Sequence, residues 1–189
     1  VELTLLIHDV FKSLELEDFI VKINHREVLF AMAAAADLKG KEIPFCVALD
    51  KLDKIGTEAV LSEVEGLNGN PSIVLKYLKL INEPIDEKSK IERLAKITGA
   101  QNKGYEELLS FFKGLNEFPA RNFKVELDFS LARGLSYYTG MIYEVKPTKV
   151  KMGSICGGGR YDDLTGMFGL NGVSGIGISF GLDRIYDVL

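Results

Sequence analysis

The sequence predicts an α+β fold: an antiparallel β-sheet flanked by helices, with an all-helical module inserted into it. Three observations predict this. Near both ends of the chain apolar residues alternate with polar ones, the period of a half-buried strand. From about Arg26 to Ala120 that alternation stops and apolar residues recur at helical spacing. Beyond Ala120, no crossover helix of adequate length separates the first three strands, and strands joined without crossovers pair antiparallel.

In chain order, Leu3, Leu6, Ile7, Val10 and Leu14 predict a surface helix. Phe19, Val21 and Ile23 alternate with Ile20, Lys22 and Asn24 as a strand. Four helical stripes follow. Phe45, Ala48, Leu49, Leu52 and Ile55 form the first, with Pro44 in its opening turn and Gly56 at its expected C-cap. Ile73, Val74, Tyr77, Leu78 and Ile81 follow Pro71. Ile91, Leu94 and Ala95 precede Gly99, and Tyr105, Leu108, Leu109 and Phe112 close the series. The module is long enough for a core of its own. Phe123, Val125, Leu127 and Phe129 then restore the period of two. Further strands are expected at about 141–146, 153–156 and 174–180. The organisation is therefore 1–25, an inserted helical module at 26–120, and 121–189.

The 189 residues, 47% hydrophobic, suffice for a globular domain with a smaller module and are too apolar for a disordered chain. A net charge of -4 excludes a body that grips nucleic acid over its whole surface. Cys46 and Cys156 are the only cysteines and His8 and His25 the only histidines, so neither a disulfide framework nor a zinc site is expected. Reduced thiols, with no spanning segment and no signal peptide, suit the cytoplasm. The chain starts and stops inside amphipathic patterns, and is expected to be a piece of a longer protein.

Three segments ask for more than scaffold. Arg133-Gly134-Leu135-Ser136-Tyr137-Tyr138-Thr139-Gly140 follows a strand. Its guanidinium could hold a carboxylate or phosphate through two parallel hydrogen bonds, and its tyrosines could supply a flat apolar wall with a phenol. Gly157-Gly158-Gly159-Arg160-Tyr161-Asp162 makes sense where a ligand or another backbone comes close; a flexible turn is the plainer alternative. Gly175-Ile176-Gly177-Ile178-Ser179-Phe180-Gly181-Leu182-Asp183-Arg184 is a glycine-spaced strand entering a helix whose arginine could reach a polyphosphate. It is not a dinucleotide fingerprint, because the third glycine is misplaced and no crossover unit follows.

Together, in this order and spacing, the three segments resemble histidyl-tRNA synthetases, a class II aminoacyl-tRNA synthetase family, over essentially the whole chain. Arg133–Gly140 and Gly157–Asp162 are similar to the two histidine signatures, and Gly177–Arg184 to class II motif 3. The resemblance implies a class II synthetase-type sheet and a histidine–tRNA ligase that uses L-histidine, ATP with Mg²⁺, and tRNA(His), as a homodimer. It implies that Arg133 is catalytic, contacting the histidine carboxylate and α-phosphate. Tyr137, Tyr138, Gly157, Gly158, Gly159 and Tyr161 would bind histidine, and Arg184 with Gly181 would bind ATP; no metal ligand is assigned. Ser136 departs from the acidic residue common at its position. Motifs 1 and 2 and the anticodon-binding domain are not found here, so this piece alone is expected to be inactive. The helical module is expected to touch the tRNA acceptor stem, with Lys88, Lys90, Arg93 and Lys96 as candidate phosphate contacts. The alternative is the regulatory subunit of ATP phosphoribosyltransferase, a histidine sensor that shares the fold and the Tyr-Tyr-Thr-Gly and Gly-Gly-Arg-Tyr-Asp segments. A sensor has no need of both Arg133 and Arg184. A degenerate, RNA-binding or dimerising module would have shed these charged groups.

Overall fold

Among the described residues, five strands form one mixed sheet: β1 (Phe19–His25), β2 (Lys124–Leu127), β3 (Met141–Pro147), β4 (Cys156–Arg160) and β5 (Ile176–Phe180), in the order β2-β1-β3-β4-β5. The computed structural model describes residues 1–118, 123–134 and 137–189. The expected module boundary at Ala120, and Ser136, lie outside them.

Pairing is antiparallel for β1–β3, β3–β4 and β4–β5. The antiparallel pairing expected among the strands beyond Ala120 holds for β3 and β4 but not for β2, which pairs not with β3 but, in parallel, with β1. The reason is topological. The whole helical block separates β1 from β2 and serves as the crossover a parallel pair needs, while β3 returns along the opposite edge of β1.

Register sorts the side chains, because directly paired residues share a face. Val21, Val145, Cys156 and Phe180 are paired in series on one face, apolar and mostly buried. Lys22, Glu144, Gly157 and Ser179 are paired in series on the other, which is polar. One face therefore makes core and the other makes a site.

Helix α1 (Glu2–Ser13) packs on the apolar face through Phe11, whose ring lies 4.9 Å from Phe19 and 5.7 Å from Phe180. Its buried stripe is Thr4, Ile7 and Phe11, rotated from the expected one, so Leu6 and Leu14 are exposed. The block between β1 and β2 holds α2 (Arg26–Ala35), α3 (Glu42–Asp50), α4 (Leu52–Gly66), α5 (Pro71–Ile81), α6 (Glu87–Thr98) and α7 (Lys103–Asn116). Asn70, Asp86 and Asn102 each cap a helix by accepting backbone amides of its first turn. The stripe expected from Phe45 to Ile55 is broken in two: α3 ends at Asp50, and Gly56 is no C-cap but an extended residue with φ 78° and ψ 170° inside α4. Phe111, not Phe112, is the buried phenylalanine of α7, and its ring lies 6.4 Å from Tyr143 of β3. The buried apolar residues of sheet and helices form one continuous cluster. Among the described residues no helix is long and apolar enough to cross a membrane.

The strand expected at 153–156 lies further on and runs through the glycine triplet. A side chain at Gly158 would place its Cβ 2.1 Å from the Gly177 carbonyl oxygen of β5. Glycine is present because another backbone comes close, not because the chain turns there.

Candidate active site

The polar residues of β1 build a rigid ledge for the segment after β2. Asn24, fully buried, donates to the Leu131 carbonyl at 2.9 Å, and the Lys22 ammonium donates to Asp128 at 2.6 Å. The other Asp128 oxygen accepts the Ser130 amide at 2.9 Å, and the Asp128 amide donates to Ile23 at 2.9 Å. Arg133 emerges from this ledge. Its Nη1 lies 2.7 Å from Oε1 of the buried Glu144 on β3, and its Nε lies 3.4 Å from Asp50 of α3. The Glu144 contact is coulombic; its angle does not make a hydrogen bond.

Beyond Arg133 the chain closes the cleft with aromatic rings. Tyr137 and Tyr138 meet edge-on with centroids 4.4 Å apart. Tyr138 fills the space over two glycines: a Cβ on Gly134 or on Gly159 would lie 2.0 Å or 2.7 Å from its ring. Gly134 also has φ +65°, which few other residues adopt. Tyr161 does the same for β5, its ring occupying the positions of side chains at Gly175 and Gly177. Thr139 and Asp162 clamp the two signature segments together. The Thr139 hydroxyl donates to Asp162 at 3.0 Å and accepts the Asp162 amide at 3.0 Å, while Arg160 holds the other carboxylate oxygen at 3.0 Å.

The outcome is a cleft of about 430 Å³ whose lining includes Arg133, Tyr137, Tyr138, Glu144, Gly157, Gly158, Gly181 and Arg184. Seven of these stood among the nine residues marked in the sequence. The other two, Gly159 and Tyr161, do not line it: Gly159 lies beneath Tyr138, and Tyr161 covers β5. Arg184, at the start of α8 (Leu182–Val188), reaches back to donate to the Ser154 carbonyl at 2.6 Å. Sequence reasoning missed Glu144, Asn24, Lys22 and Asp128, whose only sequence signal is a polar residue at alternate positions of an otherwise apolar strand.

A profile of the histidyl-tRNA synthetase family matches residues 1–185. The chain belongs to the histidyl-tRNA synthetase family. A curated relative, the histidine–tRNA ligase of Cytophaga hutchinsonii, is 48% identical over the whole chain. The crystal structure of histidyl-tRNA synthetase from Nostoc sp. PCC 7120 superposes with a TM-score of 0.83 at 30% identity, covering 97% of this chain and 44% of that one. A Bacillus halodurans structure titled as an ATP phosphoribosyltransferase regulatory subunit/histidyl-tRNA synthetase shares the fold, with a TM-score of 0.80 at 21% identity. The chain spans 42% of the length of the curated relatives it matches first.

For a chain of this synthetase family, the site's ionisation is informative. Burial, reinforced by Tyr137, raises the Tyr138 phenol well above its ordinary value, so it stays a protonated donor. Burial pushes the Cys156 thiol up to about 12, which removes it as a nucleophile. The charged groups that line the cleft are Arg133 with Glu144, and Arg184 with its chain neighbour Asp183. Among the described residues no group of three or more His, Cys, Asp or Glu is placed to hold a metal ion. Of the four basic residues expected to face RNA, Lys90 is buried against Glu87, Arg93 is paired with Glu83, Lys88 lies 3.8 Å from Glu92, and Lys96 is exposed.

Proposed function

We propose that this chain provides the amino-acid pocket and one ATP-facing edge of a histidine–tRNA ligase. That enzyme joins histidine to ATP as histidyl-adenylate and passes the histidyl group to tRNA(His). The observation that carries the reading is that two guanidinium groups, Arg133 and Arg184, line one cleft with Tyr137, Tyr138 and Gly157–Gly158.

The chemistry suits this equipment. A carboxylate oxygen attacks the α-phosphorus of ATP, the P–O bond to pyrophosphate breaks, and the leaving group departs with its electron pair. The nucleophile is already ionised at neutral pH, so no general base is needed. What must be overcome is the repulsion of two anions and the charge that builds on the phosphoryl oxygens. Positioned cations on a rigid support do this. Arg133 holds the carboxylate and α-phosphate, and Arg184 takes the distal phosphates. Tyr138, kept protonated, donates a hydrogen bond within the histidine pocket. Gly157 leaves the cleft floor open, and Tyr161, which does not line the cleft, acts on the pocket through β5, which it covers.

The helical segment 26–120 is proposed as an insertion domain that meets the tRNA acceptor stem, in a homodimeric, cytoplasmic protein. The alternative of a histidine sensor has no use for two phosphate-binding arginines in one cleft. Histidine-dependent ATP–pyrophosphate exchange by the complete protein tests the reading. Exchange with histidine and none with other amino acids supports it; histidine binding without exchange would favour the sensor.

A further inference from the structure

Arg133 belongs to an alternating chain of charges that leaves the sheet and enters the helical block. Asp50 contacts Arg133 Nε at 3.4 Å, and Arg133 Nη1 contacts Glu144 at 2.7 Å. Lys146 lies 3.5 Å from the other Glu144 oxygen and 2.6 Å from Asp53. Burial opposes the charge of Lys146, but Asp53, Glu144 and Asp128 outweigh it and raise its pKa. Asp50 is the last residue of α3 and Asp53 lies in the first turn of α4, so both carboxylates come from a single helix junction. That junction packs against the Arg133 segment with a gap of only about 20 Å³ between them.

Two features of Asp50 are unexpected for a residue kept for stability. A carboxylate at a helix C-terminus opposes the helix dipole, and the last turn of α3 holds no cation to offset it. The pair with Arg133 is also nearly half-exposed on both sides, a setting in which ion pairs add little to folding. What the contact does accomplish is geometric. Glu144 attracts one end of the guanidinium from the sheet, and Asp50 attracts its Nε edge from the helical block. The two contacts are made through different nitrogens of the guanidinium, Nε and Nη1.

We infer that Asp50 is a positioning residue for Arg133, so that the helical block takes part in aiming the arginine at the substrate. This rests on the function proposed above. The test is made in the complete protein with Asp50→Asn, Asp50→Glu and, as a control at the same junction, Glu63→Gln. The control breaks the Lys51–Glu63 pair without touching Arg133. Histidine-dependent pyrophosphate exchange is measured at saturating and limiting histidine and ATP, alongside thermal melts.

Asp50→Asn is expected to lower kcat by roughly tenfold to a hundredfold, the scale of a misplacement of about 1 Å. Its KM for histidine and its melting temperature should stay close to wild type. Asp50→Glu should recover part of the rate, and Glu63→Gln should match wild type. A rate for Asp50→Asn within about twofold of wild type, on a scale where tenfold is about 1.4 kcal/mol, overturns the inference alone. So does an equal loss in Glu63→Gln, which would mean general loosening of the block. Absence of exchange in the wild type overturns the proposed function and this inference with it.

Discussion

The Tyr138 ring occupies the place of a side chain at Gly159: a Cβ there would lie 2.7 Å from Tyr138 Cδ1 and 2.7 Å from the Met141 carbonyl oxygen. The glycine of the second signature thus seats the tyrosine of the first. Gly159→Ala should displace the ring and cost about 1–3 kcal/mol of stability, the usual penalty of overpacking. Denaturant unfolding with calorimetric titration of histidine checks both effects. A variant with native stability and native histidine affinity would show that the ring does not depend on this seat.

Gly56 separates two helical pieces with φ 78° and ψ 170°, and a Cβ there meets nothing within 4 Å. The cost of replacing it is therefore conformational rather than steric. Gly56→Ala should destabilise the protein by about 1–3 kcal/mol through backbone strain, without changing histidine affinity. A melting temperature equal to wild type would contradict this.

His25 joins the end of β1 to α7. Its Nδ1 accepts the Glu27 amide at 3.2 Å, and its Nε2 lies 3.0 Å from Glu107. Burial holds its pKa below the ordinary 6.5, although Glu107 pulls the other way. With the folded value depressed, the unfolded chain takes up the proton first as pH falls. The His25 contribution is then complete above pH 6.5 and is lost as pH falls through the folded pKa. The wild type should lose stability as the pH drops below 6.5, and His25→Gln should lose less over the same interval. Parallel melting curves for the two proteins across that interval would refute the assignment.

The 189-residue chain by itself should bind histidine more weakly than the complete protein and should not catalyse exchange, because it spans only 42% of the length of its relatives. Robust histidine-dependent turnover by the isolated chain would contradict this.

The residues that line the candidate cleft were easier to read in the sequence than the order of the strands. Arg133, Tyr138 and Arg184 were legible because each sits in a short segment whose glycines and neighbouring polar groups have no scaffold explanation. Glu144 was not legible: a single acidic residue in Met141–Pro147 reads as a solvent-facing strand position, and only strand pairing shows that it lies under Arg133. Of the two readings of Gly157–Gly159, the close approach of another backbone is the one the structure bears out; the triplet lies in a strand and not in a turn. The parallel β1–β2 pair depends on contacts more than 100 residues apart, which periodicity does not encode. In the helices, the choice of Phe111 over Phe112, and of Phe11 over Leu6, turns on a rotation of one position that neighbouring elements decide.

The most direct measurement of the central claim is histidine-dependent ATP–pyrophosphate exchange by the complete protein, wild type against Arg133→Ala, with both shown to be folded. Loss of a cation aimed at developing charge should lower kcat by about 10²–10³-fold, with a smaller change in KM for ATP. An Arg133→Ala enzyme that turns over at the wild-type rate would contradict the account.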